Sequence, residues 1–320
     1  MSYVEEKLTS AYNRYIFPKR NAYGVQMLHN EVVRFLSQVG IPMSELAGKK
    51  VLDAGCGTGE LSCFLAQHGA QVTGIDITQN SLAYARTQAQ VKGLPNVTFI
   101  EGSLLDYPFR EHEYDLIVSH MVLMVTADPE RAFANIVRAL KPGGSIVFKV
   151  FCFWGTMSPF QKSPLWKIWV VRLLGGKDLE KRVRIGERLF YKPGHEAAHG
   201  LEKGQYLYDL WGLPRISYHR WGELLGWLDR SGLRYHSSDV PMEFSKLVQS
   251  FLDKTEPSVT TRGALLRGAA KVFFGVLPIH RLPVFKRPTL LSRTFGQAYA
   301  FLAAGANMVT IRAIKDERAR

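Results

Sequence analysis

Between Lys49 and Phe151 the chain repeats one pattern: a short, continuously apolar run, a turn, then a stretch of helical character. The runs are K-K-V-L-D-A-G (49–55), Q-V-T-G-I-D (71–76), N-V-T-F-I-E (96–101), Y-D-L-I-V-S-H (114–120) and G-G-S-I-V-F-K-V-F (143–151). Helices are expected at about 59–68, about 80–92, and over D-P-E-R-A-F-A-N-I-V-R-A-L. Strands that stay apolar along their whole length are covered on both faces, and helical crossovers between them impose a parallel sheet. The chain is therefore predicted to be α/β.

After Phe151 the rhythm breaks into long insertions rich in Trp, Tyr, Pro, Lys and Arg. It returns at W-G-E-L-L-G-W-L-D-R-S-G-L-R-Y, where Leu224, Leu225 and Leu228 make an apolar helix face and Gly232 ends the helix before a strand. A second insertion runs from 241 to about 305, and N-M-V-T-I-R-A-I-K alternates like a last strand. The charge divides along the same boundary. Residues 1–150 hold 14 Lys/Arg and 14 Asp/Glu, whereas 151–320 hold 27 against 14, so the second half carries the whole excess of +13. A basic half suits phosphates, an acidic small molecule or an anionic membrane, and charge alone does not choose among them.

With 46% hydrophobic residues the chain is not read as disordered. No basic, then apolar, leader opens it, and no clean run of 18 apolar residues is present. Cys56, Cys63 and Cys152 lack metal-type spacing and are read as buried thiols of a reducing compartment. The expected location is cytoplasmic, with peripheral membrane contact left open.

The most informative stretch is V-L-D-A-G-C-G-T-G, Val51 to Gly59. Gly55, Gly57 and Gly59 stand between a strand and a helix, where missing side chains permit a sharp turn and close approach of a ligand. A dinucleotide fingerprint needs glycine at its sixth place, and Glu60 stands there. Asp76 ends the next strand 21 positions after Gly55, suited to gripping the two hydroxyls of a ribose. The pattern points to an adenosine-like ligand without a pyrophosphate.

These residues resemble the class I S-adenosylmethionine-dependent methyltransferases, particularly their small-molecule branch. The resemblance is strong over about residues 47–151, where S-H-M-V-L-M-V-T-A-D-P (119–129) and L-K-P-G-G (140–144) also match, and moderate over 216–240. It implies a Rossmann-like sheet of seven mostly parallel strands, the last antiparallel, with mainly helical cap insertions. The implied division is 1–46, a helical segment over the cofactor site; 47–151, the cofactor-binding core; 152–215, a substrate cap; 216–240, a returning core helix and strand; 241–305, a second helical cap; and 306–320, the last strand and tail. S-adenosylmethionine is the implied cofactor and S-adenosylhomocysteine its product. Asp53, Gly55, Gly57 and Gly59 would wrap the methionine part, Asp76 the ribose, and Ile77 would pack on the adenine. The family usually has Asp after E-G; this chain has Ser103, and the backbone N–H of Leu104 is the remaining donor to the base.

Methyl transfer from a sulfonium is an in-line displacement that needs alignment and desolvation, with no protein nucleophile. A general base helps when the acceptor is a hydroxyl or a carbon acid. His120, at the carboxyl end of the fourth strand, is the first candidate and is also placed beneath the cofactor. Tyr15 and His219 are the other catalytic candidates. Substrate contacts are expected from Tyr12, Trp154, Tyr206, Tyr218, His195 and His199, because loops beyond the strand ends carry specificity on this architecture. The expected reaction is methylation of an O, N or C nucleophile of a small, largely apolar or aromatic metabolite. A tRNA or a membrane lipid or quinone acceptor is the alternative, a nucleic-acid partner being disfavoured but open, and the oligomeric state is left unassigned.

H-E-A-A-H, His195 to His199, spells a zinc-hydrolase motif, which works only on a helix that puts both imidazoles on one face. Here Pro193-Gly194 precede it and Gly200 follows, so any helix is a turn or two long. No metal is assigned, and the two histidines are read as part of the cap.

Overall fold

The computed structural model describes residues 3–15, 19–153, 166–194, 196–239, 290, 294 and 308–317. The second predicted cap, 241–305, therefore lies almost wholly outside the described residues.

Seven strands form one sheet in the order β3-β2-β1-β4-β5-β7-β6. They are β1 (Lys50–Ala54), β2 (Gln71–Asp76), β3 (Val97–Glu101), β4 (Tyr114–His120), β5 (Leu140–Phe151), β6 (Leu233–Ser238) and β7 (Met308–Lys315). β1 to β5 pair in parallel, and β7 inserts antiparallel between β5 and β6. Strand order reverses between β1 and β4, the place where an open α/β sheet leaves a crevice at its carboxyl edge. The fold is thus the Rossmann-like arrangement expected, with β7 interior rather than at an edge.

The alternation of side chains along each strand feeds two separate cores. Val51, Val118 and Val147 pack with helices α2 (Ala22–Gln38) and α3 (Glu60–Gln67). Leu52, Ile117 and Phe148 pack with α5 (Pro129–Arg138) and the later helix Trp221–Arg230. Local signals set the ends of these elements. α5 begins where Asp128 accepts from the Arg131 N–H at 3.1 Å with Pro129 in the first turn, and it buries Ala132, Phe133, Ile136 and Val137 on one side.

One strand differs from its expected bounds. β5 starts at Leu140 rather than Gly143, because Leu140 pairs with Tyr114 before the register jumps to Leu116 opposite Ser145. Gly143, at φ +76°, takes up that irregularity.

Outside the sheet, α1 (Tyr3–Tyr15) packs on α4 (Gln79–Val91). The first cap folds as α6 (Trp166–Gly175), α7 (Leu179–Phe190) and α8 (Lys203–Leu207), which runs into a π-helical turn at Tyr208–Gly212. Val171, Leu207 and Trp211 give this cap a small core of its own. The helix Trp221–Arg230, α9, then leads back into β6.

Candidate functional site

At the end of β1 the chain turns through Gly55, Gly57 and Gly59 at φ +89°, +51° and +74° before entering α3. A Cβ on Gly55 would stand 2.3 Å from Val122 Cγ1, so only glycine lets this turn meet the segment after β4. The N–H groups of Gly55 and Cys56 donate to the Ile75 carbonyl at 2.8 and 2.9 Å, tying the turn to the end of β2. There Asp76 accepts from the Gly57 N–H at 2.9 Å, the Thr78 N–H at 3.0 Å and the Thr78 hydroxyl at 2.6 Å. The carboxylate is thereby held beside the glycine turn at the crevice of the sheet.

A second carboxylate lies next to it. Asp53 is 1% exposed and accepts from Ser62 Oγ at 2.6 Å. Burial pushes its carboxyl up to about 7, against the pull of the Ser62 hydrogen bond. Burial raises Asp76 as well, opposed by its donors Thr78 and Gly57. Both anions are short of solvation, so a ligand bringing positive charge and hydroxyl donors would stabilise them. The sulfonium, ammonium and ribose hydroxyls of S-adenosylmethionine supply both, and the residues present fit that cofactor.

Ile77 follows Asp76 and is half-buried. The end of β3 is tied to the same edge by the Gly102 N–H, which donates to the Asp76 carbonyl at 2.9 Å. Ser103 and the buried Leu104 come next. Ser103 Oγ accepts from the Leu105 N–H at 3.1 Å and donates to Glu5 of α1.

At the end of β4, His120 stacks on Phe35 of α2 with ring centroids 5.2 Å apart. Its Nε2 lies 3.4 Å from Glu31 Oε1, the oxygen that also takes the Lys149 ammonium from β5. Burial lowers the His120 imidazole below its ordinary value, partly offset by Glu31. Burial alone would raise Glu31, but the His120 hydrogen bond and the charges of His120 and Lys149 outweigh it and hold the carboxyl far below the usual range. Met121 follows at φ +65°, rare for a non-glycine residue, and turns the chain into the short helix Leu123–Val125 under the site.

The remaining predicted residues are distributed unevenly. Tyr12 is half-buried, and burial, then Asp209 and Asp76, raise its phenol well above the ordinary value. Tyr15 closes α1, and its side chain lies outside the described residues, as do Trp154 and His195. Tyr218 is half-buried and tilts against Phe151 at 5.5 Å. His219 is 3% exposed, with Nδ1 2.8 Å from Glu223 Oε1 and Nε2 2.8 Å from Ser217 Oγ. A ligand would have to displace one of those partners to reach its ring. His199 is exposed and stacks on Tyr206 at 5.5 Å.

Among the described residues of the zinc spelling, Ala197–His199 is a single 3-10 turn, closed by Gly200 at φ +66°. Its backbone docks on the start of α2, where the Asn21 N–H donates to the Gly200 carbonyl at 2.9 Å. Among the described residues no three His, Cys, Asp or Glu side chains are placed to hold a metal ion.

Sequence reasoning passed over several groups here. Glu31 interrupts the buried face of α2 made by Leu28, Val32 and Phe35, and Lys149 interrupts the apolar run of β5. Those interruptions were the available signal. Arg20 pairs with the buried Glu60 at 2.8 Å, beside the glycine turn. Asp209, on the π-helical turn of the cap, is pushed up to about 6 by burial, with Arg20 opposing. Nothing in the local sequence marks it.

Residues 52–148 match the family described as Methyltransferase domain. A ubiquinone biosynthesis O-methyltransferase of Photorhabdus laumondii is 29% identical over 205 residues, covering 64% of this chain and 70% of that protein. A demethylmenaquinone methyltransferase of Thermus thermophilus is 37% identical over 109 residues, 33% of this chain and 49% of that protein. In eight of the similar curated proteins the matched stretch spans from 42% to 72% of their length. Among solved structures, the geranyl diphosphate C-methyltransferase of Streptomyces coelicolor shares the fold, with a TM-score of 0.51 at 12% identity over 98% of this chain and 99% of that one. The matched region contains the glycine turn, Asp76 and the end of β4. On this geometry and these likenesses, residues 52–148 are a methyltransferase domain of the class I S-adenosylmethionine-dependent kind.

Proposed function

We propose that this methyltransferase acts on a hydroxyl of a small, largely apolar or aromatic molecule of the hydroquinone type. The observation that carries the reading is His120, half-buried at the carboxyl end of β4 and bound to the ionised Glu31. With Glu31 accepting from Nε2–H, Nδ1 keeps its lone pair and is the nitrogen that takes a proton. The imidazolium so formed stands beside a carboxylate that stabilises it, while Lys149 keeps that carboxylate charged. The cofactor supplies a methyl group already activated on its sulfonium. Asp53, Asp76 and the glycine turn hold it, and the protein contributes alignment, exclusion of water and a proton acceptor. Two relatives are named for ubiquinone biosynthesis and for demethylmenaquinone, which supports a quinone-related acceptor.

The test supplies purified protein with methyl-labelled S-adenosylmethionine and, separately, short-chain hydroquinones and catechols, bulk tRNA, and phospholipid vesicles. Label is expected in the hydroquinone or catechol fraction. Label in tRNA or phospholipid alone would overturn the reading.

A second reading, in which the acceptor is drawn from a bilayer surface, is favoured by α6. Trp166, Trp169 and Leu173 stand three and four residues apart, are 55%, 67% and 84% exposed, and alternate with Lys167 and Arg172. No helix among the described residues is long and apolar enough to cross a membrane, so this contact would be peripheral. Flotation with anionic vesicles, weakened by Trp169→Ser with Leu173→Ser, is the expected result; no flotation of the wild type removes the reading.

A further inference from the structure

We propose that Glu5 of α1 accepts a hydrogen bond from the exocyclic amine of the cofactor's adenine, so that the N-terminal helix reads the base. The inference rests on the cofactor site at the glycine turn and Asp76 and is independent of the acceptor proposed above.

Helix α1 carries Glu5, Leu8 and Tyr12 at spacings of three and four, one stripe about 10 Å long. Glu5 and Leu8 are buried, and Tyr12 feels the charge of Asp76. The far end of the helix is fastened to α4, where Asn80 donates its N–H to Asn13 Oδ1 at 3.2 Å and its side-chain amide to the Asn13 carbonyl at 2.9 Å. The stripe therefore lies over the carboxyl ends of β2 and β3, running from Asp76 to Ser103.

That position is where a base belongs. Asp76 is paired with Glu101 in the β2–β3 register, and Ser103 follows two residues later. A nucleoside whose ribose is held by Asp76, with its sulfur side toward the turn after β1, has its base on the opposite side, toward β3. Glu5 is 6% exposed there. The Leu105 N–H donates to Ser103 Oγ, which leaves the hydroxyl proton for Glu5 and fixes where the carboxylate stands. A Glu side chain carries two oxygens, and each can accept from more than one donor. Adenine presents an amine at its six position, whereas a six-oxo purine presents another acceptor and is repelled. Glu5 thus favours the amino base and couples its binding to the docking of α1.

The experiment is calorimetric titration of S-adenosylhomocysteine and of its six-oxo counterpart, S-inosylhomocysteine, into wild type, Glu5→Gln and Ser103→Ala. Wild type is expected to prefer the amino form by about tenfold or more. Glu5→Gln, whose amide can donate to an oxo group, should erase or reverse that preference. Ser103→Ala should keep its sense at reduced size. Because each ratio is taken within one protein, a general loosening of α1 cancels. The proposal is overturned if wild type does not discriminate, if Glu5→Gln keeps the wild-type ratio, or if Ser103→Ala alone erases it. Binding of neither nucleoside to the wild type would instead bring down the cofactor reading on which the proposal stands. Binding of both with an unchanged ratio in Glu5→Gln leaves the methyltransferase reading intact and removes only the role of Glu5.

Discussion

His120 and Lys149 face each other across the β4–β5 register, and both reach the same oxygen, Oε1 of Glu31. Burial lowers the imidazole below its ordinary value; Glu31 opposes that shift and the charge of Lys149 adds to it, so the neutral ring is favoured. The sequence offered His120 as the first general-base candidate; the proposed proton-accepting role now also draws on Glu31 and Lys149, which the sequence did not single out.

The pH dependence of turnover follows from that pair. Burial sets His120 below its ordinary value near 6.5, so the acid limb of kcat should fall at a pH below about 6.5. Glu31→Gln removes the group that favours the imidazolium and should move that limb further toward acid while lowering kcat. His120→Gln should lower kcat by about 10²- to 10⁴-fold and leave S-adenosylhomocysteine affinity within about threefold, a change of under about 1 kcal/mol. Loss of affinity in parallel with kcat would make His120 a cofactor contact instead.

Asp53 sets a second pH dependence, in stability. Unfolded, it titrates near 3.9; folded, at about 7. Between those values the folded chain holds a proton that the unfolded chain has released, so this group's contribution becomes less favourable as pH rises from about 4 to about 7 and is level above. Asp53→Asn should therefore unfold at higher denaturant than wild type at pH 8, by a few kcal/mol at most, on the order of the linkage energy. The advantage should shrink at pH 5, and the same variant should bind S-adenosylmethionine more weakly. Equal pH slopes for variant and wild type would contradict the assignment.

At Gly55 the turn leaves no room. A methyl group there would meet Val122 at 2.3 Å and would have to hold φ at +89°. Gly55→Ala should cost about 1–3 kcal/mol from overpacking and backbone strain and should weaken cofactor binding. Gly48→Ala is a useful control, since it shares a positive φ of +73° but meets nothing within 4 Å. Thermal unfolding and titration of the two variants separate strain alone from strain plus collision.

The segment spelled like a zinc motif should behave as packing. A Cβ on Gly200 would stand 2.4 Å from the Gly24 Cα and 2.8 Å from Asn21 Oδ1. The latter atom caps α2 by accepting from the Gly24 N–H at 2.9 Å. Gly200→Ala should therefore lower stability by about 1–3 kcal/mol, read as a lower denaturation midpoint. His199→Ala, at an exposed ring stacked on Tyr206, should cost less than Gly200→Ala.

Much of the fold was legible because strands β1 to β4 announce themselves by continuous apolar runs and are punctuated by Gly and Asp. Gly55, Gly57 and Asp76 are separated by a strand and a helix, yet spacing alone brought them to one edge, where Asp76 accepts from the Gly57 N–H. The start of β5 was misjudged because K-P-G-G reads as a turn, while pairing of Leu140 with Tyr114 overrides it. The charged groups around the site were less legible. Glu31, Lys149, Glu5 and Asp209 come from four separate elements, and each carries meaning only through a partner far away in the chain: Glu31 and Lys149 are 118 residues apart, Glu5 and Ser103 are 98 apart. Periodicity reports which face is buried, not which charges meet there.

The cofactor site is most directly tested by calorimetric titration of S-adenosylhomocysteine into wild type and Asp76→Ala. Asp76 stands to lose charge-assisted bonds worth about 1.5–3 kcal/mol each. The expected result is saturable one-site binding by the wild type in the micromolar range or tighter, weakened about tenfold to a hundredfold or more in the variant. Absence of saturable binding to the wild type, or equal affinity for both proteins, would contradict the site built here from the glycine turn and Asp76.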